Sequence, residues 1–195
     1  MQRKVAKSFK ALPLGEIEKL LEDPIHELRL TALLILVLQY AKADAAAKKQ
    51  IVDFYIDHLQ FVNNWDLVDS SAPYILGDWL LQKDSKILDR FAKSTHFWTQ
   101  RVAIVSTYAF IKAGKFDETM RISELLLHHE HDLIHKAVGW MLREMGKKNA
   151  KLLRTFLDKY AHHMPRTMLR YAIEKFSDVE RRRYMVKRYI LTTKH

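Results

Sequence analysis

Apolar residues recur every three to four positions over residues 27–41, 46–62, 98–113, 116–127, 133–145, 151–160, 164–176 and 179–191. That spacing is one face of an α-helix. No stretch sustains the two-residue alternation of a half-buried strand, so the pattern predicts an all-α chain. Breaks fall at Pro24, at Asn63 with Asn64, over 93–95, at Ala113 with Gly114, at Gly146 and at Pro165. Pro73 stands between Trp65 and Trp79 in a stretch that otherwise reads as helix. Proline lacks the N–H that an interior turn needs, so a kink or a fresh helix start is expected there. Residues 1–24 leave room for one or two short helices.

The helical words repeat. Arg101-Val102-Ala103-Ile104 returns as Arg170-Tyr171-Ala172-Ile173, with Lys136-Ala137-Val138 between them and Arg29-Leu30-Thr31-Ala32 upstream. The steps from Arg101 are 35 and then 34 residues, and the 72 residues from Arg29 to Arg101 have Trp65 at their midpoint. A helix pair recurring about every 35 residues is the signature of an α-solenoid, here of about five pairs in a single domain over 1–195. In such a fold the second helices of successive pairs line one concave face, so equivalent repeat positions are expected to meet there.

Composition narrows the chemistry. At 195 residues and 48% apolar content the chain is long enough to bury a core without staples. It has no cysteine, which removes disulfides, thiolate metal sites and thiol nucleophiles. The longest apolar run, 30–38, is interrupted by Thr31 and flanked by Arg29 and Gln39, far short of the roughly 20 residues of a membrane span. A soluble cytoplasmic protein with no membrane partner is expected. Charge is segregated: residues 147–195 carry 14 Lys and Arg against 4 Asp and Glu, while the other 146 residues carry 19 of each. Lys147, Lys148, Lys151 and Arg154, then Arg166, Arg170, Arg181, Arg182, Arg183, Lys187 and Arg188, make a field suited to a polyanion, with nucleic acid the natural candidate. The alternative is a solvated helical surface that is merely basic.

Three ordered segments resemble a known family. They are Asn64-Trp65-Asp66-Leu67-Val68-Asp69, Trp98-Thr99-Gln100-Arg101-Val102-Ala103-Ile104 and Lys136-Ala137-Val138-Gly139-Trp140-Met141-Leu142-Arg143-Glu144, supported by Gly77-Asp78 and by 166–175. They resemble signature stretches of the DNA alkylation repair family, the AlkD-like DNA glycosylases built of HEAT-like repeats. The resemblance runs from about Glu27 onward. It implies hydrolysis of the glycosidic bond of cationic N3- or N7-alkylated purines in double-stranded DNA, by a monomer with no cofactor and no metal. It further implies that Asp69 is the catalytic carboxylate, that Trp65 and Trp140 cradle the damaged nucleotide, and that Arg101 approaches the phosphate backbone. Lys136, Arg143, Lys147, Lys148, Arg166 and Arg170 join Arg101 as candidate DNA contacts. At the start of the chain Leu14-Gly15-Glu16-Ile17 is not followed by the proline and arginine of the family's Gly-x-x-x-Pro-x-x-Arg-like stretch. A DNA-gripping element is therefore expected to be missing or replaced, with Arg3, Lys4, Lys7 and Lys10 compensating through phosphates.

Each residue also has a plainer reading. Trp65 and Trp140 could be core or ridge residues of a repeat. Asp69 could be a surface residue or cap a helix starting at Ser70 or Ser71, with Asp66 as a competing carboxylate. Arg101 could pair with a carboxylate across repeats. Trp79 and Trp98 read as packing residues. The string from His128 to His135 lacks the HExxH register, because Leu133 stands where the second histidine belongs, and reads as a helix junction rather than a metal site. Besides an alkylpurine glycosylase, the sequence allows a non-catalytic DNA-binding relative or a protein-interaction solenoid.

Overall fold

The computed structural model describes residues 1–186; Lys187, Arg188 and the far end of the helix expected over 179–191 lie outside them. Met1–Ala109 forms one compact unit and the chain from Phe110 onward another. The first unit holds α1 (Gln2–Ser8), α2 (Leu14–Glu22), α3 (His26–Tyr40), α4 (Ala45–Asp57), α5 (Trp65–Ser71), α6 (Asp78–Leu80) and α7 (Ile87–Ala92), and most of α8 (Phe97–Lys112). The second holds α9 (Asp117–Leu125), α10 (Asp132–Lys148), α11 (Ala150–Tyr160), α12 (Arg166–Ala172) and α13 (Asp178–Val186). No strand occurs among the described residues, and none of their helices is long and apolar enough to cross a membrane.

The repeat is visible in the helix order. Arg29, Trp65, Arg101, Lys136 and Arg170 fall on α3, α5, α8, α10 and α12, the second helix of five successive pairs among the described residues. Within the first unit α3 packs on α1 and α2 before it and on α5 beyond it; within the second, α10 packs on α9, α11 and α12. Within each unit one second helix thus reaches the next, α3 to α5 and α10 to α12, the stacking that lets a repeat bury an apolar face it cannot bury alone. Leu33, Ile35, Leu36, Leu67, Ile75 and Ile104 are fully buried in the first unit, and Met141, Leu142, Met168 and Leu169 equally so in the second.

Breaks follow local chemistry. Asp44 accepts from the Ala47 N–H at 2.9 Å to cap α4, and Asn149 accepts from Leu152 at 3.0 Å to cap α11, each satisfying a backbone donor orphaned at a helix start. One expected break, at Gly146, is not a break. At Pro73 a fresh helical segment starts, as expected, and it is a π turn, Pro73–Gly77, with the Gly77 N–H reaching back to the Ala72 carbonyl at 2.9 Å. The wider turn carries the helix past the missing donor, so α5 runs on into α6. At Gly146 α10 also continues, to Lys148. Gly146 is bare because Leu153 of α11 lies where a Cβ would be.

Gly77 has a similar reason. A Cβ there would lie 2.3 Å from the Ser106 carbonyl oxygen and 3.0 Å from the Ala109 Cβ, so this glycine is what lets the end of the π turn approach α8. Gly77→Ala is expected to destabilise the fold by about 1–3 kcal/mol, the usual cost of overpacking, because the obstacle is backbone. Urea unfolding checks this, and wild-type stability would contradict the close approach.

Candidate active site

α5 starts at Trp65, where the Asn64 side chain accepts from the Trp65 N–H at 2.7 Å. Leu67, Val68 and Ser71 face the core, which turns Trp65 and Asp69, four residues apart, to another face of the helix. Trp65 is 52% exposed, too open for a core residue. Among the described residues no ring or cation packs on its indole.

Asp69 sits in a drier place, its side chain 17% exposed. It lies against Arg101 of α8, which is 5% exposed. The Arg101 Nε donates to Asp69 Oδ1 at 3.0 Å and Nη2 donates to Oδ2 at 2.9 Å, the two-pronged geometry that fixes a carboxylate plane. Burial pushes the Asp69 carboxyl above its ordinary value, the bonds and charge of Arg101 pull it down, and the charge of Asp66 adds to the rise. Asp69 caps no helix at Ser70 or Ser71, because α5 continues through them.

Two further contacts hold the helix. The Tyr55 hydroxyl of α4 lies 3.0 Å from Ser71 Oγ, which itself donates to the Leu67 carbonyl at 2.6 Å. Burial raises the Tyr55 phenol well above its ordinary value, so it serves as a neutral partner. On the other side His26 Nε2 of α3 meets Asp66 Oδ2 at 2.8 Å. Asp78, just past Gly77, accepts from the Tyr40 hydroxyl at 3.0 Å and pairs with Lys48 at 3.6 Å. An exposed aromatic face thus stands one turn from a half-buried, oriented carboxylate.

Over residues 1–176 the chain matches the profile of a family described as DNA alkylation repair enzyme. The chain belongs to that family. Its fold is similar to that of a protein described as a predicted DNA alkylation repair enzyme from Enterococcus faecalis, at 18% identity and a TM-score of 0.70 over 90% of this chain and 82% of that one. It is also similar to smu.31 from Streptococcus mutans UA159, at 21% identity and a TM-score of 0.60 over 91% of this chain and 92% of that one. No curated protein matches it.

In this member of the DNA alkylation repair family, the residues singled out from sequence divide between the units. Trp65, Asp69 and Arg101 come together in the first, whereas Trp140 is a half-buried residue of α10 in the second. The Arg101 fork is turned on Asp69, the cross-repeat pairing that its sequence left open. Of the candidate DNA contacts, Lys136 pairs with Asp132 at 2.7 Å, Lys147 with Glu144 at 2.7 Å, and Arg143 with Glu144 and Glu174. Arg166 donates to the Met185 carbonyl at 2.9 Å. Lys148 and Arg170 are exposed and have no charged partner among the described residues.

Trp98 is half-buried, edge-on to Phe97 at 4.6 Å, and Trp79 has the Lys83 ammonium 5.2 Å from its ring. The histidine string forms the start of α10: His131 Nδ1 accepts from the Leu133 N–H at 3.1 Å, His129 Nδ1 accepts from the His131 N–H at 3.0 Å, and His135 meets the His129 carbonyl. Among the described residues no group of three or more His, Asp or Glu is arranged to hold a metal ion. Sequence reasoning missed His26, Tyr55 and Ser71. The one signal for His26 is its distance from Asp66, 40 residues and so near one repeat.

Proposed function

We propose that the protein is a DNA glycosylase that hydrolyses the N-glycosidic bond of cationic N3- or N7-alkylated purines in duplex DNA, acting as a cytoplasmic monomer. The observation that carries this reading is the pairing of a solvent-facing Trp65 indole with Asp69, whose two oxygens are locked by Arg101. An indole half open to solvent can attract a cation, by about 2 kcal/mol or more once water is excluded. A carboxylate one turn away stabilises positive charge growing on the sugar and orients a water.

The electron count needs no strong acid. The bond between C1′ and the purine nitrogen breaks with its electron pair moving to the base, which leaves neutral because it started cationic. Water forms the new bond to C1′ and gives up a proton, for which Asp69 is the acceptor. Burial that raises the carboxyl's proton affinity makes it a better base. Lys148 and Arg170, exposed and without a charged partner among the described residues, are suited to phosphates, which position the duplex without reading its sequence.

The test is release of N3-methyladenine and N7-methylguanine from alkylated duplex DNA, run beside a buffer blank. Release above the blank is expected. None, with DNA still bound, would overturn the glycosylase and leave a DNA-binding module.

A further inference from the structure

The second unit holds a cleft of about 610 Å³ between the end of α12 and α13. One wall carries Arg170, Ile173 and Glu174, whose spacing of three and four residues is one face of a helical turn. The other carries Asp178, Arg181, Arg182 and Met185, again one face of a helix. The Arg166 guanidinium donates to the Met185 carbonyl at 2.9 Å and so ties the far end of α13 back to α12.

Charge in the cleft is unevenly matched. Asp178 is held by Arg181, three residues on. Glu174 is held by Arg143 of α10 and by Lys175 at 3.0 Å. Both carboxylates are therefore taken. Among the described residues Arg170 has no charged partner, and Arg182 meets the Asp178 carbonyl at 3.4 Å but no carboxylate. Two like charges that line one cleft repel each other and draw in an anion, and the guanidinium fork suits the oxygens of a phosphate. The cleft also has an apolar side, with Ile173 buried and Met185 half-buried. A cavity of about 150 Å³ accepts a benzene ring, so this one has room for a base and its sugar besides a phosphate.

We propose that the α12–α13 cleft takes one unpaired nucleotide of a DNA strand, its phosphate between Arg170 and Arg182 and its base against Ile173 and Met185. Guanidinium planes and the methionine thioether both pack on aromatic rings, and a basic groove with surfaces for bases is how unpaired strands are held. An intact duplex offers its phosphates to the two arginines but keeps its bases in the stack, away from the apolar side. This assignment rests on DNA being the substrate, as the glycosylase reading has it, and extends it from the duplex to an unpaired strand.

The measurement is affinity for three duplexes: one blunt, one with a short single-stranded tail of deoxyadenylates, and one with a tail of the same length made of abasic sites. Wild type is expected to bind the base-bearing tail about tenfold more tightly than the abasic one, the scale of one stacked base, and the abasic tail more tightly than the blunt end. Met185→Ala should bring the first ratio near to one, and Arg182→Gln the second. Ratios guard against misfolding, because a damaged fold weakens all three duplexes together.

Equal binding of the two tails by wild type overturns the inference, since the cleft would then hold an anion alone. Variants that keep the wild-type ratios overturn it too, by placing the strand elsewhere. Free deoxyadenosine monophosphate that displaces the base-bearing tail at the same nucleotide concentration would give the cleft to free nucleotides and remove the strand. Each of these results leaves the glycosylase standing, because base release is measured on duplex alone. Binding to none of the three duplexes would overturn both.

Discussion

Replacing Asp69 by Asn is expected to lower base release by about 10²–10⁴-fold, the range spanned by losing a general base or a preorganised charge. Asn matches the carboxylate in shape and still offers one oxygen to Arg101, so the α5–α8 contact survives in part. What it loses, under the proposed function, is the negative charge opposite the developing sugar cation and the ability to accept the water's proton. Binding to undamaged duplex, which depends on phosphate contacts made elsewhere, is expected to hold. Single-turnover release and duplex affinity, measured well below the melting temperature of the variant, separate the two effects. Unchanged release would place the hydrolytic step on another residue; release and duplex binding falling together would mean that Asp69 serves the fold alone. Asp69→Glu adds one methylene and cannot meet both Arg101 nitrogens from the same backbone. It should therefore release little base although it keeps its charge, since misplacement by about 1 Å can cost a hundredfold.

How much of this the sequence carries depends on whether the cause is local. Helix positions were legible because burial of one face imposes its period on the residues themselves, and the roughly 35-residue recurrence placed Arg29, Trp65, Arg101, Lys136 and Arg170 on equivalent helices. The start at Pro73 was legible, but the width of the turn it opens and the continuation of α10 through Gly146 were not. Whether a proline breaks a helix depends on whether the turn can widen around it, and whether a glycine ends one depends on what leans on it, here Leu153. Both are decided by packing. The site divides in the same way. Trp65 and Asp69 are four apart, so their common face follows from helical geometry. The partners Arg101 and His26 are 32 and 40 residues from Asp69 and Asp66. Those distances bracket one repeat, and a repeat length limits a partner to about a helical turn without choosing among the residues in it. The pairing of Arg101 with Asp69 rather than with a phosphate is accordingly a fact of tertiary structure.

That pairing has a cost that Arg101→Met should expose. Methionine refills much of the apolar space of the arginine stem and leaves Asp69 largely buried without its counter-charge. Breaking a buried pair from one side costs about 3–5 kcal/mol, and near neutral pH the variant should lose stability on that scale. The loss is expected to depend on pH with a definite sign. Burial raises the Asp69 carboxyl in the folded protein and Arg101 opposes the rise; removing Arg101 lets the folded value climb further above the unfolded one. A group raised on folding favours the folded state fully below its unfolded value, and that contribution is lost as pH rises through the folded value. The deficit of Arg101→Met against wild type should therefore be small near pH 4, at about the unfolded carboxyl value, and reach its full size by about pH 7.5. Urea unfolding at both pH values measures it. Adding Asp69→Asn to Arg101→Met should return part of the stability at neutral pH, because the stranded charge is gone. A deficit independent of pH, or no recovery in the double variant, would mean that the arginine supports the fold through its stem and not through the charge it sets against Asp69.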